Sequence, residues 1–273
     1  MEPNLAVLPW SDIAQLGAVG ALSGLLMGLF GIAGGTVLVP AQLAVLTVLY
    51  GVPPDQAIRI AVATSLCCIV VSTVAKLIAQ KRLGTLRAGV VAQMLAPVAA
   101  GVTLAAFASP HIPAQLMQRA FGVYLVLYLL YSVMRKADPR DDADVRLPAR
   151  EARVVGLGIG LASGLLGIGG AFLSTPYLIR RGMTCKGANA AAPAVQLAVS
   201  IVGTLAYLWV PIHAAAPGLV GSVAMPLVLV LGVPAAAVSL LAERWGNALS
   251  AGTHKRAFEA LLLLVALKIL LVP

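Results

Sequence analysis

Charged residues are scarce in this sequence, and so are long polar segments. Asp, Glu, Lys and Arg make up 11% of the 273 residues, against about a quarter in soluble domains. Apolar residues make up 60%, and the mean hydropathy is +0.96. This is too little polar surface for a water-soluble domain of this length. The composition therefore predicts an all-α integral membrane protein that lies mostly in lipid.

Residue patterns of metal sites, cofactor sites and intramembrane enzymes are also missing. The three cysteines are Cys67, Cys68 and Cys185, and their spacing does not suit a metal. The apolar runs contain no Ser/His arrangement, no paired Asp and no H-E-x-x-H motif. We therefore expect no enzyme activity, no metal and no cofactor.

The positive charge would suggest nucleic acid in a soluble protein. Here the 19 Lys and Arg, against 10 Asp and Glu, lie in short loops between apolar runs. The positions of these cations indicate how the chain is oriented across the membrane, and nucleic acid is not an expected partner. The positive-inside rule assigns four basic loops to the cytoplasm, the first of them residues 76–87 with Lys76 among its charges. It assigns the uncharged segments 109–114 and 210–217 to the outside.

Six apolar runs have the length of about 17–25 residues that a membrane-spanning helix needs. They cover residues 56–79, 86–108, 112–134, 186–209, 217–241 and 255–272. Two further apolar regions are interrupted, 12–50 at residues 31–35 and 154–180 at residues 167–170. The polar stretch 135–153 is a predicted cytoplasmic linker. It separates a first transmembrane repeat, 1–134, from a second, 154–273.

The charge pattern predicts opposite orientations for the two halves. Residues 154–180 start and finish at basic loops, and 27 residues are too few for two full spans at ~1.5 Å per residue. They are predicted to form a re-entrant helical hairpin. Residues 12–50 start and finish outside, as a hairpin or as two short helices. Each half is then a broken hairpin plus three spans, an inverted-topology repeat in a bacterial inner (plasma) membrane.

An internal repeat joins the two interrupted regions. Residues 28–40 (GLFGIAGGTVLVP) align without a gap with residues 164–176 (GLLGIGGAFLSTP), at an offset of 136. Broken apolar segments in matching positions of inverted halves are typical of secondary transporters. The alternative is that these glycines only allow close helix packing.

Both copies resemble the glycine-rich signature of the sulfite exporter TauE/SafE family. There a G-x-x-G-I-G-G-G-like run leads into an apolar stretch ending in proline, once per half. The resemblance extends to residues 63–65 (Ala-Thr-Ser) and covers essentially the whole chain. The sequence departs from the pattern at Ala33 and Ala171, which replace glycines, and at residues 192–194 (Ala-Pro-Ala). The resemblance implies export, or sometimes uptake, of sulfite, sulfonates or related organosulfur anions.

The two glycine breaks form the predicted anion site. A helix that starts at a break carries roughly half a positive charge at its N-terminus, and glycine lets a ligand approach the N–H groups closely. Two such tips that converge near the midplane would cradle an oxyanion. The predicted backbone donors are Gly34, Gly35, Thr36, Gly170 and Ala171.

Polar side chains in the following helices are further candidates for substrate binding. They are Thr64 and Ser65, which the family resemblance favours, and Asn189 and Gln196. Such groups in membrane helices often bond their own or a neighbouring helix instead. Arg59 lies about one turn inside the outer end of its helix, where anion binding and snorkelling to the interface both stay open.

These features predict an alternating-access exporter of sulfite, sulfoacetate or a similar small anion. The membrane potential can drive the export, since no Asp or Glu lies mid-span to relay protons. A passive anion channel and a membrane scaffold or assembly factor without transport are the alternatives. Membrane lipid is an expected partner, and a homodimer is left open.

Overall fold

The computed structural model describes residues 10–30, 34–82, 84, 88–134, 147–210 and 218–246. The long helices are α1 (Trp10–Phe30), α2 (Gly34–Ala44), α3 (Pro54–Arg82), α4 (Ala92–Ala108), α5 (Ala114–Met134), α6 (Ala149–Leu166), α7 (Ala171–Arg180) and α8 (Cys185–Trp209). A hairpin of β1 (Leu219–Val220) and β2 (Val223–Ala224) precedes α9 (Met225–Leu227) and α10 (Val233–Gly246). Single π-helical segments, Val45–Leu49 and Val228–Gly232, extend α2 and join α9 to α10.

Four helical segments of the described residues are long and apolar enough to cross a bilayer. They are Pro54–Arg82, Gly89–His111, Gly187–Trp209 and Met225–Ala242. Four of the predicted spans overlap them, the span 217–241 only from Met225 onward, and α5 covers residues 114–134 of the predicted span 112–134. Large apolar side chains, among them Leu104, Phe107 and Leu205, are exposed on the outer faces of these helices. The chain is therefore a multi-pass, mostly helical membrane protein.

Two element boundaries differ from the expectation. Helix α6 begins at Ala149, inside the stretch assigned to the linker, directly after Pro148. Residues 219–224 form the hairpin rather than the first turns of a span, since Gly221 has a φ of +57° that suits a tight turn. The predicted span 255–272, the outer segment 211–217 and linker residues 135–146 lie outside the described residues.

A pair of glycines joins α1 to α10. Gly20 faces the backbone of Leu231 and Gly24 faces the backbone of Ala235, so closely that a Cβ on either glycine would overlap a carbonyl group. Glycines four residues apart let two helix backbones approach within a membrane. The first helix of the chain therefore packs along α10, a helix of the second half.

The reciprocal pair is α6 and α4. Gly160 of α6 faces the Val98 carbonyl of α4, and Gly101 of α4 faces the Leu157 carbonyl of α6. Gly156 and Gly160 stand 136 positions after Gly20 and Gly24, which is the offset of the internal repeat. The first helix of each half of the chain thus packs against a helix near the end of the other half's described part or in its middle, α1 on α10 and α6 on α4.

Helices α3 and α8 form the centre of the fold. They pack against each other, α2 and α10 pack on α3, and α4 and α7 pack on α8. Leu66 of α3 lies against Gly203 of α8, and Ile60, Ile69, Val195 and Val199 of these two helices are buried. This pair is the surface on which the two glycine breaks rest.

Candidate functional site

Each interrupted region contains two helices. In the first, α1 is described to Phe30 and α2 from Gly34, so residues 34 and 35 of the first predicted break are described and residues 31–33 are not. In the second, α6 ends at Leu166 and α7 begins at Ala171. Gly167 and Gly169 have φ values of +66° and +74°, so the second break uses a conformation that glycine adopts without strain.

Hydrogen bonds hold the second break in shape. The Gly167 N–H donates to the Ser163 carbonyl at 2.9 Å, and the Ser163 hydroxyl donates to the Gly169 carbonyl at 3.2 Å. The buried Tyr207 hydroxyl of α8 donates to the Gly164 carbonyl at 3.1 Å. These bonds supply partners that lipid cannot give to backbone groups where a helix is interrupted.

The two breaks are in direct contact. A Cβ placed on Gly35 would lie 2.5 Å from both the Gly167 carbonyl oxygen and the Ile168 Cα. Ordinary Cβ contacts lie at 3.4–4 Å, so no side chain fits at this point. Two segments that are far apart in sequence therefore meet. In this conformation they leave no space for an oxyanion on the Cβ side of Gly35.

The rest of the second break packs against the central helices. A Cβ on Gly167 would lie 2.9 Å from the Val62 Cα of α3. One on Gly170 would lie 2.9 Å from methyl groups of Val195 and Val199 of α8. Among the other predicted donors, Thr36 and Ala171 are buried, and Gly34 is the first residue of α2.

Ser65 lies on α3 between two residues that contact the second break, Val62 and Ile69. Its hydroxyl donates to Gln42 Oε1 of α2 at 3.1 Å. The Gln42 amide lies 3.9 Å from the Cys68 sulfur, and all three side chains are buried. Ser65 thus belongs to a polar cluster beside the meeting point of the breaks.

Gln196 is also next to the second break. A Cβ on Gly169 would lie 3.3 Å from the Gln196 Cγ. The Gln196 amide donates to the Thr73 hydroxyl of α3 at 2.8 Å, in a buried position. Of the predicted polar side chains, Gln196 therefore lies beside the second break. Ser65 lies between residues of α3 that contact this break.

Thr64 has a structural partner, because its hydroxyl accepts a hydrogen bond from the Ala224 N–H of β2 at 3.0 Å. The Asn189 carbonyl accepts from the Gln80 amide at 3.3 Å, and Asn189 Oδ1 is a buried atom without a hydrogen-bond partner. Asn189 stands two turns before Gln196 on α8, away from the breaks.

Arg59 binds backbone carbonyls. Its guanidinium donates to the carbonyls of Pro110 at 3.2 Å and Ile112 at 3.5 Å. It lines an open cavity of about 530 Å³ together with Asp55, Gln56 and residues 110–113. This cavity lies near the Pro54 end of α3, and the hydrogen bonds of Arg59 there go to residues 110 and 112 rather than to either break.

Sequence reasoning overlooked part of this polar interior. Thr73, Lys76 and Gln80 are buried on α3. Lys76 was counted as a charge of the basic loop. The available signal was spacing, because the polar residues Ser65, Ser72, Lys76 and Gln80 recur at intervals of seven and four that place them on one face of a helix.

Comparison of the sequence with known proteins identifies a family. Residues 16–269 match the family model described as sulfite exporter TauE/SafE. A probable membrane transporter protein of Haemophilus influenzae is 27% identical over 261 residues, which cover 93% of this chain and 96% of that protein. Another, of Methanocaldococcus jannaschii, is 25% identical over 224 residues, 79% of each chain. No solved structure matches significantly. This chain is a membrane transporter that belongs to the sulfite exporter TauE/SafE family.

Proposed function

We propose that the chain is a secondary transporter that exports sulfite or a small sulfonate across a bacterial inner membrane by alternating access. The anion binds beside the two glycine breaks, with the backbone of residues 34–36 and 170–171 and the side chains of Ser65 and Gln196 around it. The observation that carries this proposal is the contact between Gly35 and the Gly167–Ile168 backbone. Helix breaks that meet are the places where membrane transporters bind ions and substrates.

The helix packing supports an inverted repeat. Helix α1 packs on α10, and α6 packs on α4. Matching glycines at a constant offset of 136 line both pairs. An exchange of helices between halves is what a pseudo-twofold axis generates. In such a repeat, each broken helix pair belongs to a unit that moves against the other.

Close contact between the breaks favours a carrier over a passive channel. A channel needs a continuous open path, whereas the Gly35 contact is too tight for a methyl group. Binding between the breaks therefore requires them to separate. The contact state is then an occluded state of a transport cycle, and separation on one side at a time gives alternating access.

The electrical driving force suits export. An anion that leaves a cell with a negative interior gains about 2.3 kcal/mol per charge for each 100 mV. The four spanning segments hold acidic residues only at Asp55, near one end of α3, among their described side chains. We therefore propose export driven by the membrane potential without an obligatory proton.

The test is counterflow of labelled sulfite and sulfoacetate in proteoliposomes at clamped voltage. We expect saturable counterflow of at least one anion and a rate that follows the voltage. Ser65→Ala should weaken substrate binding because its hydroxyl lies beside the breaks. Ser239→Ala is the matched control, since that buried hydroxyl bonds only the Ala236 carbonyl of its own helix at 2.9 Å.

Three results would contradict the proposal. Anion flux that does not saturate and shows no counterflow would identify a channel. Strict dependence on a pH gradient at fixed voltage would exclude potential-driven export. If neither anion moves although the protein in the vesicles is folded, sulfite and sulfoacetate are excluded as substrates.

A further inference from the structure

One buried cation lies inside the membrane-spanning part of the described chain and has no role in the site above. Lys76 of α3 is 7% exposed. Its near neighbours Val74 and Ile78 are 38% and 49% exposed, and each lies about 200° from Lys76 around the helix. Lys76 therefore points away from the lipid-facing side of α3. A lysine that snorkels to the interface keeps its ammonium group in water, so burial argues against that explanation.

Lys76 shares a face of α3 with the residues around the breaks. It follows Ser65 by 11 positions and Ile69 by seven, which are three turns and two turns of an α-helix. Ile69 lies beside Gly169. Lys76 is therefore ~10.5 Å along the helix from the second break, in the direction of the basic end at Lys81 and Arg82.

Two polar contacts between α3 and α8 bracket this position. The Gln196–Thr73 hydrogen bond of 2.8 Å lies one turn before Lys76. The bond of 3.3 Å from Gln80 to the Asn189 carbonyl lies one turn after it. Thr73, Lys76 and Gln80 thus form a polar stripe along α3, which begins one turn after Ile69 and runs toward the basic end of the helix.

The helices that pack on α3 contain few acidic residues. Neither α7 nor α8 contains one, Asp55 of α3 lies at its opposite end, and Glu243 lies in the last turn of α10, which also packs on α3. A charged side chain within a membrane costs about 2.5–3.5 kcal/mol or more to insert, and such residues generally mark ion or substrate pathways. An ammonium group on this route would attract a small oxyanion that leaves or approaches the breaks.

We propose that Lys76 is an anion-binding residue of the route between the glycine breaks and the basic end of α3, with sulfite or a sulfonate as the class of ligand. This inference rests on the proposed transport function. Lys76 forms a second binding position for the anion, two turns from the breaks. Its charge sets the affinity for the anion on that side of the membrane.

The experiment compares Lys76→Gln and Lys76→Arg with the native protein in sulfite counterflow. Loss of a charge-assisted hydrogen bond predicts that Lys76→Gln raises the KM for sulfite about tenfold or more. Lys76→Arg keeps the charge and should stay within about threefold of native. Arg119→Gln is the control, because Arg119 is an exposed cation on α5, outside this route, and its KM should not change.

A second variant leaves Lys76 in place. Gln80→Glu puts a carboxylate one turn away on the same face, where it pairs with the ammonium group. It should raise the KM in the same direction as Lys76→Gln, even if the latter fails to fold. A native KM in folded Lys76→Gln or in Gln80→Glu overturns the role of Lys76 alone. No saturable counterflow by the native protein overturns the proposed function, and the two failures are therefore distinct.

Discussion

Gly35→Ala is the sharpest test of the contact between the two breaks. The new methyl group would lie 2.5 Å from the Gly167 oxygen and from the Ile168 Cα, and ordinary Cβ contacts begin at 3.4 Å. The two breaks must therefore move apart by about 0.9 Å. Both obstacles are backbone atoms, so a change of side-chain rotamer cannot relieve the overlap.

Overpacking of this kind costs about 1–3 kcal/mol, or about five- to 150-fold in an equilibrium constant. Alanine in a helix gains about 0.5–1 kcal/mol over glycine, which offsets part of the loss. Gly17→Ala measures that gain separately, because a Cβ at this α1 position has nothing within 4 Å. We expect Gly35→Ala to be less stable than Gly17→Ala by about 1–3 kcal/mol.

The assay is reversible unfolding in mixed micelles with increasing SDS, followed by tryptophan fluorescence. Gly17→Ala should unfold at the native midpoint or later, and Gly35→Ala earlier. Equal stability of the two variants would refute the contact between the breaks. It would also remove the main support for a carrier over a channel.

Two further predictions concern buried hydrogen bonds. Thr64→Val removes the acceptor of the Ala224 N–H and should reduce the free energy of unfolding by about 1–3 kcal/mol. Thr64→Ser should restore most of it in the same SDS titration, and a loss shared by both variants would exclude the hydrogen bond as the cause. A double-mutant cycle with Thr73→Val and Gln196→Leu should give a coupling energy of about 0.5–1.5 kcal/mol from their bond of 2.8 Å. Additive effects of the two substitutions would mean that this contact between α3 and α8 does not form.

The positions of the helices could be predicted from the sequence because lipid imposes a simple rule. Spanning segments must be long, apolar and internally hydrogen-bonded, and the observed Gly187–Trp209 differs from the predicted 186–209 by one residue. The second break was predicted at residues 167–170, where the structure interrupts the helix. The hairpin at residues 219–224 was missed, since its apolar residues read as the start of a span.

The arrangement of the site was harder to predict because it depends on which helices pair. The identity of Ser65 and Gln196 as polar residues in apolar runs was evident, but their partners Gln42 and Thr73 lie on other helices. When Lys and Arg are counted by loop, Lys76 falls among the basic residues of the loop that follows its helix. Only its burial separates it from Lys81, and burial depends on tertiary packing rather than on the local sequence.

The exchange of helices between the halves has a consequence for biosynthesis. Helix α1 leaves the ribosome early, but its partner α10 begins only at Val233. At about 5–20 residues per second, the interval is about 10–40 s. Throughout it, the face with Gly20 and Gly24 must rest against lipid or a temporary neighbour. A nascent chain that stops before α10 leaves its oldest helix without its native partner, so membrane quality control can recognise the truncated product at its N-terminal end.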